Sequence, residues 1–164
     1  MPFFYPAFST NVHYEAELVV RINKVGKNIA EKFAHKYYNE LTVGVDFTAR
    51  DLQSKYKEKG LPWERAKAFD GSAPIGNFVD KSHYADLSNL NFGLSINGEG
   101  RQSGNTSNML FSIDAIIAYV SQFFTLKIGD LIFTGTPEGV GPIHIGDHLE
   151  ASIEGEKVFD LKVK

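Results

Sequence analysis

His13-Tyr14-Glu15-Ala16-Glu17-Leu18-Val19-Val20-Arg21-Ile22 is the stretch on which the fold reading turns. From Tyr14 onward it alternates. Tyr14, Ala16, Leu18, Val20 and Ile22 fall on one face, and Glu15, Glu17, Val19 and Arg21 on the other, which is the period of a strand with one wet face. Residues two apart on a strand point the same way with Cα atoms about 6.5 to 7 Å apart. The carboxylates of Glu15 and Glu17 can therefore converge on one ion, and a hard cation such as Mg²⁺ takes such oxygen ligands. A solvated acidic face satisfies the same pattern.

Working outward, Ile29, Phe33 and Tyr37 recur at a spacing of four, which predicts a short amphipathic helix over 28–37. A second strand over 41–47 runs into a helix over 49–59, stopped by Gly60 and Pro62. Asp46 thus stands at a strand-to-helix junction and offers a third carboxylate, while Arg50 and Gln53, three apart, share a helix face. The same residues also read as ordinary structure, with Asp46 or Thr48 capping the helix and Arg50 a solvated charge. Residues 63–86 show no sustained period and are expected to form a long ordered loop. Asn97-Gly98 between 91–96 and 99–102 suits a type I′ hairpin. Ser112 precedes an apolar helical pattern running to about Phe124. A strand over 130–134 and a final hairpin of 148–153 and 157–163 complete an α+β chain, read as one domain over 1–164.

Composition narrows the function classes. The 164 residues are 43% hydrophobic and 23% charged, enough for a real core, and carry a formal charge of −3. With no cluster of Lys and Arg among aromatics, nothing marks a nucleic-acid surface. There is no cysteine, which leaves His, Asp and Glu as metal ligands and removes thiolate chemistry. No stretch has the makings of a leader or a membrane span, so a soluble cytoplasmic protein is expected. His13, His35, His83, His144 and His148 read as surface or packing residues.

The ordered strings His13-Tyr14-Glu15-Ala16-Glu17-Leu18, Val45-Asp46-Phe47-Thr48-Ala49-Arg50-Asp51-Leu52-Gln53, Lys59-Gly60-Leu61-Pro62-Trp63, Ala66-Lys67-Ala68-Phe69-Asp70, Arg101-Gln102-x-Gly104-x-Thr106 and Gly129-Asp130-Leu131-Ile132-Phe133-Thr134-Gly135-Thr136-Pro137-Glu138-Gly139-Val140-Gly141 are more specific than any single pattern. Together they resemble the fumarylacetoacetate hydrolase family, above all its small acylpyruvate hydrolase and oxaloacetate decarboxylase members. The resemblance implies a mixed β-sheet roll, a homodimer, and Mg²⁺ or Mn²⁺ held by Glu15, Glu17 and Asp46. It implies a pyruvate-like 2-oxo acid substrate and a metal-stabilised enolate, with Arg50 and Lys67 catalytic and Arg50, Gln53, Lys67 and Thr136 binding the substrate. Without the resemblance, Lys67 reads as a surface lysine and Thr136 as part of a Gly-Pro turn. The 101–106 string reads as structural or dimer-forming. A 2-hydroxyhepta-2,4-diene-1,7-dioate isomerase and an inactive dicarboxylate-binding subunit are the alternative readings. Family members also carry a preceding segment whose His and Glu activate water. No counterpart precedes Glu15 here, so an N-terminally truncated member is expected, with hydrolysis impaired more than decarboxylation.

Overall fold

The computed structural model describes residues 2–164. In chain order the elements are β1 (Val12–Tyr14), β2 (Ala16–Ile22), α1 (Glu31–Ala34), β3 (Tyr38–Val45), β4 (Thr48–Ala49), α2 (Arg50–Glu58), β5 (Val79–Asp80), β6 (Asn91–Ile96), β7 (Glu99–Asn105), α3 (Ile113–Phe123), β8 (Leu131–Phe133), β9 (Gly141–Pro142), β10 (His148–Ile153) and β11 (Glu156–Lys162). They build three sheets in the orders β4-β1-β9, β5-β3-β2-β8 and β11-β10-β6-β7. The named strands pair antiparallel, and a parallel bridge between Phe3 and Val163 makes the roll mixed, as expected. Leu18, Val20 and Ile22 of β2, Leu41 and Val43 of β3, Leu94 of β6 and Leu149 and Ile153 of β10 meet in one apolar cluster with Phe47. No helix among the described residues is long and apolar enough to cross a membrane.

The opening stretch departs from its reading in two ways. The strand is broken at Glu15, because the chain changes sheets there: β1 pairs with β4 and β9, whereas β2 pairs with β3 and β8. The face that a solvated acidic strand would leave wet is covered in its middle, while Arg21 stays partly exposed. Val19 is fully buried and Glu17 is only 6% exposed. β2 lies between two strands, and the Phe133 ring settles over Gly44 beside Val19, where a Cβ on Gly44 would come within 2.7 Å of that ring.

Local chemistry explains the elements read correctly. Asn97 and Gly98 take φ of 54° and 82°, the left-handed pair that a I′ turn needs. The Ser112 hydroxyl accepts from the Ala115 N–H at 3.1 Å and starts α3. Helix α2 ends before Gly60, whose φ is +60°. Its N-terminus has no side-chain cap, so neither Asp46 nor Thr48 serves as one; the Thr48 hydroxyl bonds the Asp46 carbonyl instead. The helix expected over 28–37 is one turn, because Tyr38 is already taken into the ladder of β3 with β2. The long loop is ordered by short 3-10 turns at Glu64–Ala66 and Lys81–His83.

Candidate active site

Glu15, Glu17 and Asp46 converge. Each offers a carboxylate oxygen within 4.8 Å of the others. The convergence is built into the backbone: Glu15 occupies the single position between β1 and β2, and Asp46, just past β3, donates its N–H to the Glu15 carbonyl at 2.8 Å. Antiparallel pairing places Ala16 opposite Val45, so the residues flanking this pair lie side by side.

Two cations come from elements that the ladder does not contain. Arg50 opens α2, its backbone N–H fixed to the Asn11 carbonyl at 2.8 Å, and its guanidinium donates to Glu15 Oε1 at 2.5 Å and to Gln53 Oε1 at 2.6 Å. Lys67 follows the Glu64–Ala66 turn, and its Nζ bridges Glu15 Oε2 at 2.8 Å and Asp46 Oδ2 at 2.6 Å. The structure therefore brings Lys67 to the carboxylates rather than leaving it as a free surface charge. Gln53 is buried and faces Arg50. Thr136 lies on the loop after β8, and its hydroxyl bonds the Ala16 carbonyl at 2.8 Å.

The three acids differ electrostatically. Burial pushes the Glu17 carboxyl up to about 7, aided by the nearby Asp46 and Glu15 charges and opposed by the Gly135 N–H that donates to Glu17 Oε2 at 2.6 Å. Burial also raises Asp46, against the bond from Lys67. At Glu15 burial pulls the same way but is outweighed by Lys67 and Arg50, which hold this carboxyl below its ordinary value. His13, two residues before Glu15, is lowered by burial and by the Arg50 charge.

This donor set fits a hard divalent cation. Three carboxylates from two neighbouring chain segments supply oxygen only, and none of the soft ligands that select zinc or copper is among them. With all three ionised, Arg50 and Lys67 leave one surplus negative charge, which a divalent ion would invert and so make the centre attractive to a small anion.

Two parts of the site were hidden in the sequence. The Gly135 N–H reaches Glu17 because β8 ends at Phe133, two residues earlier, and leaves that N–H free of the ladder. Gln102 is 4% exposed and donates and accepts hydrogen bonds beside the two glutamates, although its string suggested only structure. Its signal was a polar residue at a core position of β7, directly across from Leu94.

The strand junction of the roll thus gathers three carboxylates and two cations in one place. The fumarylacetoacetate hydrolase C-terminal family model matches residues 2–163, and the chain belongs to that family of enzymes. Oxaloacetate tautomerase FAHD1, mitochondrial, of Mus musculus is 48% identical over 163 residues, covering 99% of this chain and 74% of the relative. Oxaloacetate tautomerase YcgM of Escherichia coli is 42% identical over 158 residues, covering 96% of this chain and 72% of the relative. Among solved structures, fumarylpyruvate hydrolase from Pseudomonas aeruginosa, in complex with Mn²⁺ and pyruvate, superposes with a TM-score of 0.93 at 39% identity, covering 99% of this chain and 70% of that one.

Proposed function

We propose that the chain is a divalent-cation-dependent enzyme acting on small 2-oxo acids, with enol–keto conversion of oxaloacetate as its leading reaction. The observation that carries this reading is the convergence of the Glu15, Glu17 and Asp46 carboxylates, with Arg50 bonded to Glu15 and Lys67 to Glu15 and Asp46. In this reading those three carboxylates hold Mg²⁺ or Mn²⁺, as the likeness to the Mn²⁺ and pyruvate complex and the two tautomerases supports. The ion, when bound, supplies Lewis-acid stabilisation of the negative charge that develops on the substrate's oxygen.

The chain's own side chains do the rest. Arg50 offers a planar fork to a substrate carboxylate and is held in orientation by Gln53. Lys67 carries at Nζ protons already shared with Glu15 and Asp46, and is the group placed to lend and recover the proton that an enol–keto shift moves. A tautomerisation needs no attacking water, and so asks for no water-activating group beside these. Hydrolysis of fumarylpyruvate is the second reading, favoured by the Pseudomonas aeruginosa likeness.

The test follows loss of the enol absorbance of oxaloacetate, with Mn²⁺ and after EDTA, alongside fumarylpyruvate cleavage and CO₂ release. The expected result is a Mn²⁺-dependent enol–keto rate well above that of Mn²⁺ in buffer and abolished in Lys67→Ala. Rates equal to the buffer control for every 2-oxo acid would overturn the reading.

A further inference from the structure

At Ala16 the β2 strand keeps β3 on one side and loses its neighbour on the other. From Val19 to Arg21 it is laddered to β8, and Thr134 extends the pairing by directing both its N–H and its hydroxyl to the Leu18 carbonyl, at 3.1 and 2.8 Å. Then the chain turns away at Gly135, with φ of +102°. The next pair of backbone groups on that edge belongs to Ala16, and side chains satisfy it. The Ala16 N–H donates to Gln102 Oε1 at 2.9 Å, and the Thr136 hydroxyl donates to the Ala16 carbonyl at 2.8 Å. Gln102 Nε2 donates to Thr136 Oγ1 at 2.9 Å and to the Pro137 carbonyl at 3.0 Å.

The proton roles in this ring are forced. A backbone N–H only donates and a carbonyl only accepts, so the Gln102 amide has one possible orientation: oxygen toward Ala16, nitrogen toward Pro137. The Thr136 oxygen accepts from that nitrogen, and its single proton goes to Ala16. The ring closes on a residue that lies between Glu15 and Glu17. Its N–H belongs to the peptide plane that leads from Glu15, and its carbonyl to the plane that leads to Glu17. Holding both planes fixes the directions in which the two glutamates leave the backbone. The loop also lies against β7 too closely for a side chain: a Cβ on Gly139 would come within 2.6 Å of the Arg101 carbonyl oxygen.

We propose that Gln102 is a positioning residue for the carboxylate centre: its closed hydrogen-bond ring with Ala16 and Thr136 sets the angle between Glu15 and Glu17 and commits the Thr136 hydroxyl proton to the backbone. Thr136 then faces a ligand as an acceptor or through its backbone, not as a hydroxyl donor. The inference rests on the reading that the carboxylates hold a divalent cation, and its test is chosen to separate the two.

The readout is the Mn²⁺ dissociation constant of the folded protein, measured by calorimetry well below each variant's melting temperature. Gln102→Met keeps length and volume but removes both ring contacts. It is expected to weaken Mn²⁺ by about 10- to 100-fold, the usual cost of losing a group that orients metal ligands. Thr136→Val breaks the ring at another point and should weaken binding in the same direction, while Thr136→Ser keeps the hydroxyl and should restore it. The double variant Gln102→Met with Thr136→Val should be no weaker than the worse single one, because one ring cannot be broken twice. Should Gln102→Met not fold, the Thr136 pair decides alone. A lower melting temperature with unchanged Mn²⁺ affinity in Gln102→Met and Thr136→Val would make the ring merely structural and overturn the inference. If Glu17→Gln abolishes Mn²⁺ binding while the ring variants bind normally, only the positioning role falls. Absence of Mn²⁺ binding by the unmodified chain would overturn both.

Discussion

Among the described residues two triads look alike in their donors. Glu15, Glu17 and Asp46 form one, and His148, Glu150 and Asp160 the other; in each, three ligand atoms lie within 4.8 Å of one another. Each even has a lysine across two of its carboxylates. Lys67 bridges Glu15 and Asp46 at 2.8 and 2.6 Å, and Lys157 bridges Glu150 and Asp160 at 2.9 and 3.0 Å. The difference is in what surrounds them. The second triad is the outer face of the β10–β11 hairpin, where register places Glu150 opposite Asp160 and each side chain is a third to a half exposed. The first comes from a sheet junction and a strand end, its two cations from a helix start and a loop, and its member Glu17 is buried. An exposed acidic face costs little to maintain, whereas buried carboxylates of like charge need a compensating partner. Proximity of donors is common to both triads; desolvation of converging charge, which functional sites favour, belongs to the first.

The sharpest way to break this comparison is to remove ligands from both triads. Glu15→Ala and Asp46→Ala should each weaken Mn²⁺ by at least about 100-fold, beyond the usual loss for groups that merely orient ligands. His148→Ala, Glu150→Ala and Asp160→Ala should leave it within a factor of about two, as surface changes do. Calorimetric titration of the five variants checks both arms, and a weakened hairpin variant would dissolve the distinction. Next in size is the anion. Arg50→Ala and Lys67→Ala should each weaken oxalate or pyruvate binding by about 1.5 to 3 kcal/mol, the range for hydrogen bonds to charged groups. Unchanged oxalate affinity in both variants would place the ligand elsewhere.

Acidity should also differ in sign between the triads. The Glu17 carboxyl, raised to about 7 chiefly by burial, favours its protonated form in the fold. Its contribution to stability is therefore complete below the ordinary glutamate range and is lost as the pH rises through 7. Asp160 is held below its ordinary value by bonds from His148 and Lys157, so its contribution is present near neutrality and is lost on acidification. Glu17→Gln, which can still accept from the Gly135 N–H, should melt a few degrees above the unmodified chain at pH 8 without added metal, and close to it at pH 5. Melting curves at the two pH values decide this; a gain that is equal at both would show that Glu17 is not the titrating group.

The comparison also explains what was legible in the sequence. The hairpin turn, the start of α3 and the end of α2 were, because Asn97-Gly98 and Gly60 act through their own backbone geometry and the Ser112 hydroxyl reaches only three residues along the chain. The grouping of Glu15, Glu17 and Asp46 was partly legible, since strand period and a strand end are local patterns. The burial of Glu17 was not: alternation says which residues share a face, not whether another strand and Phe133 will cover it. The break at Glu15 escaped for the same reason, as only pairing with different strands reveals a change of sheet. Lys67 came from the family resemblance, and no local rule separates it from Lys157. Gln102 is the clearest case, because its meaning depends on β8 peeling away from β2 at Gly135, more than thirty positions further along the chain.

The smallest expected effect is on Lys157, and it is where the two lysines part. Lys157 and its two partners are open to solvent, with side-chain exposures of 56%, 33% and 50%, against 25%, 13% and 27% for Lys67, Glu15 and Asp46. In water the attraction across such contacts is nearly cancelled by lost solvation and by the entropy of holding a long side chain still. Lys157→Met should shift the melting midpoint by no more than about 1 °C, and the shift should vanish in 1 M salt, where charges are screened within about 3 Å. Lys67→Met strips a counter-charge from two carboxylates that are largely out of water, so its effect on the metal-free protein should be larger, should destabilise, and should persist in high salt because buried pairs are screened far less. Melting curves of both variants in 0.1 M and 1 M salt separate the cases. Equal, salt-sensitive shifts would mean that the carboxylate centre is as wet as the hairpin face, and the argument from desolvation would fail.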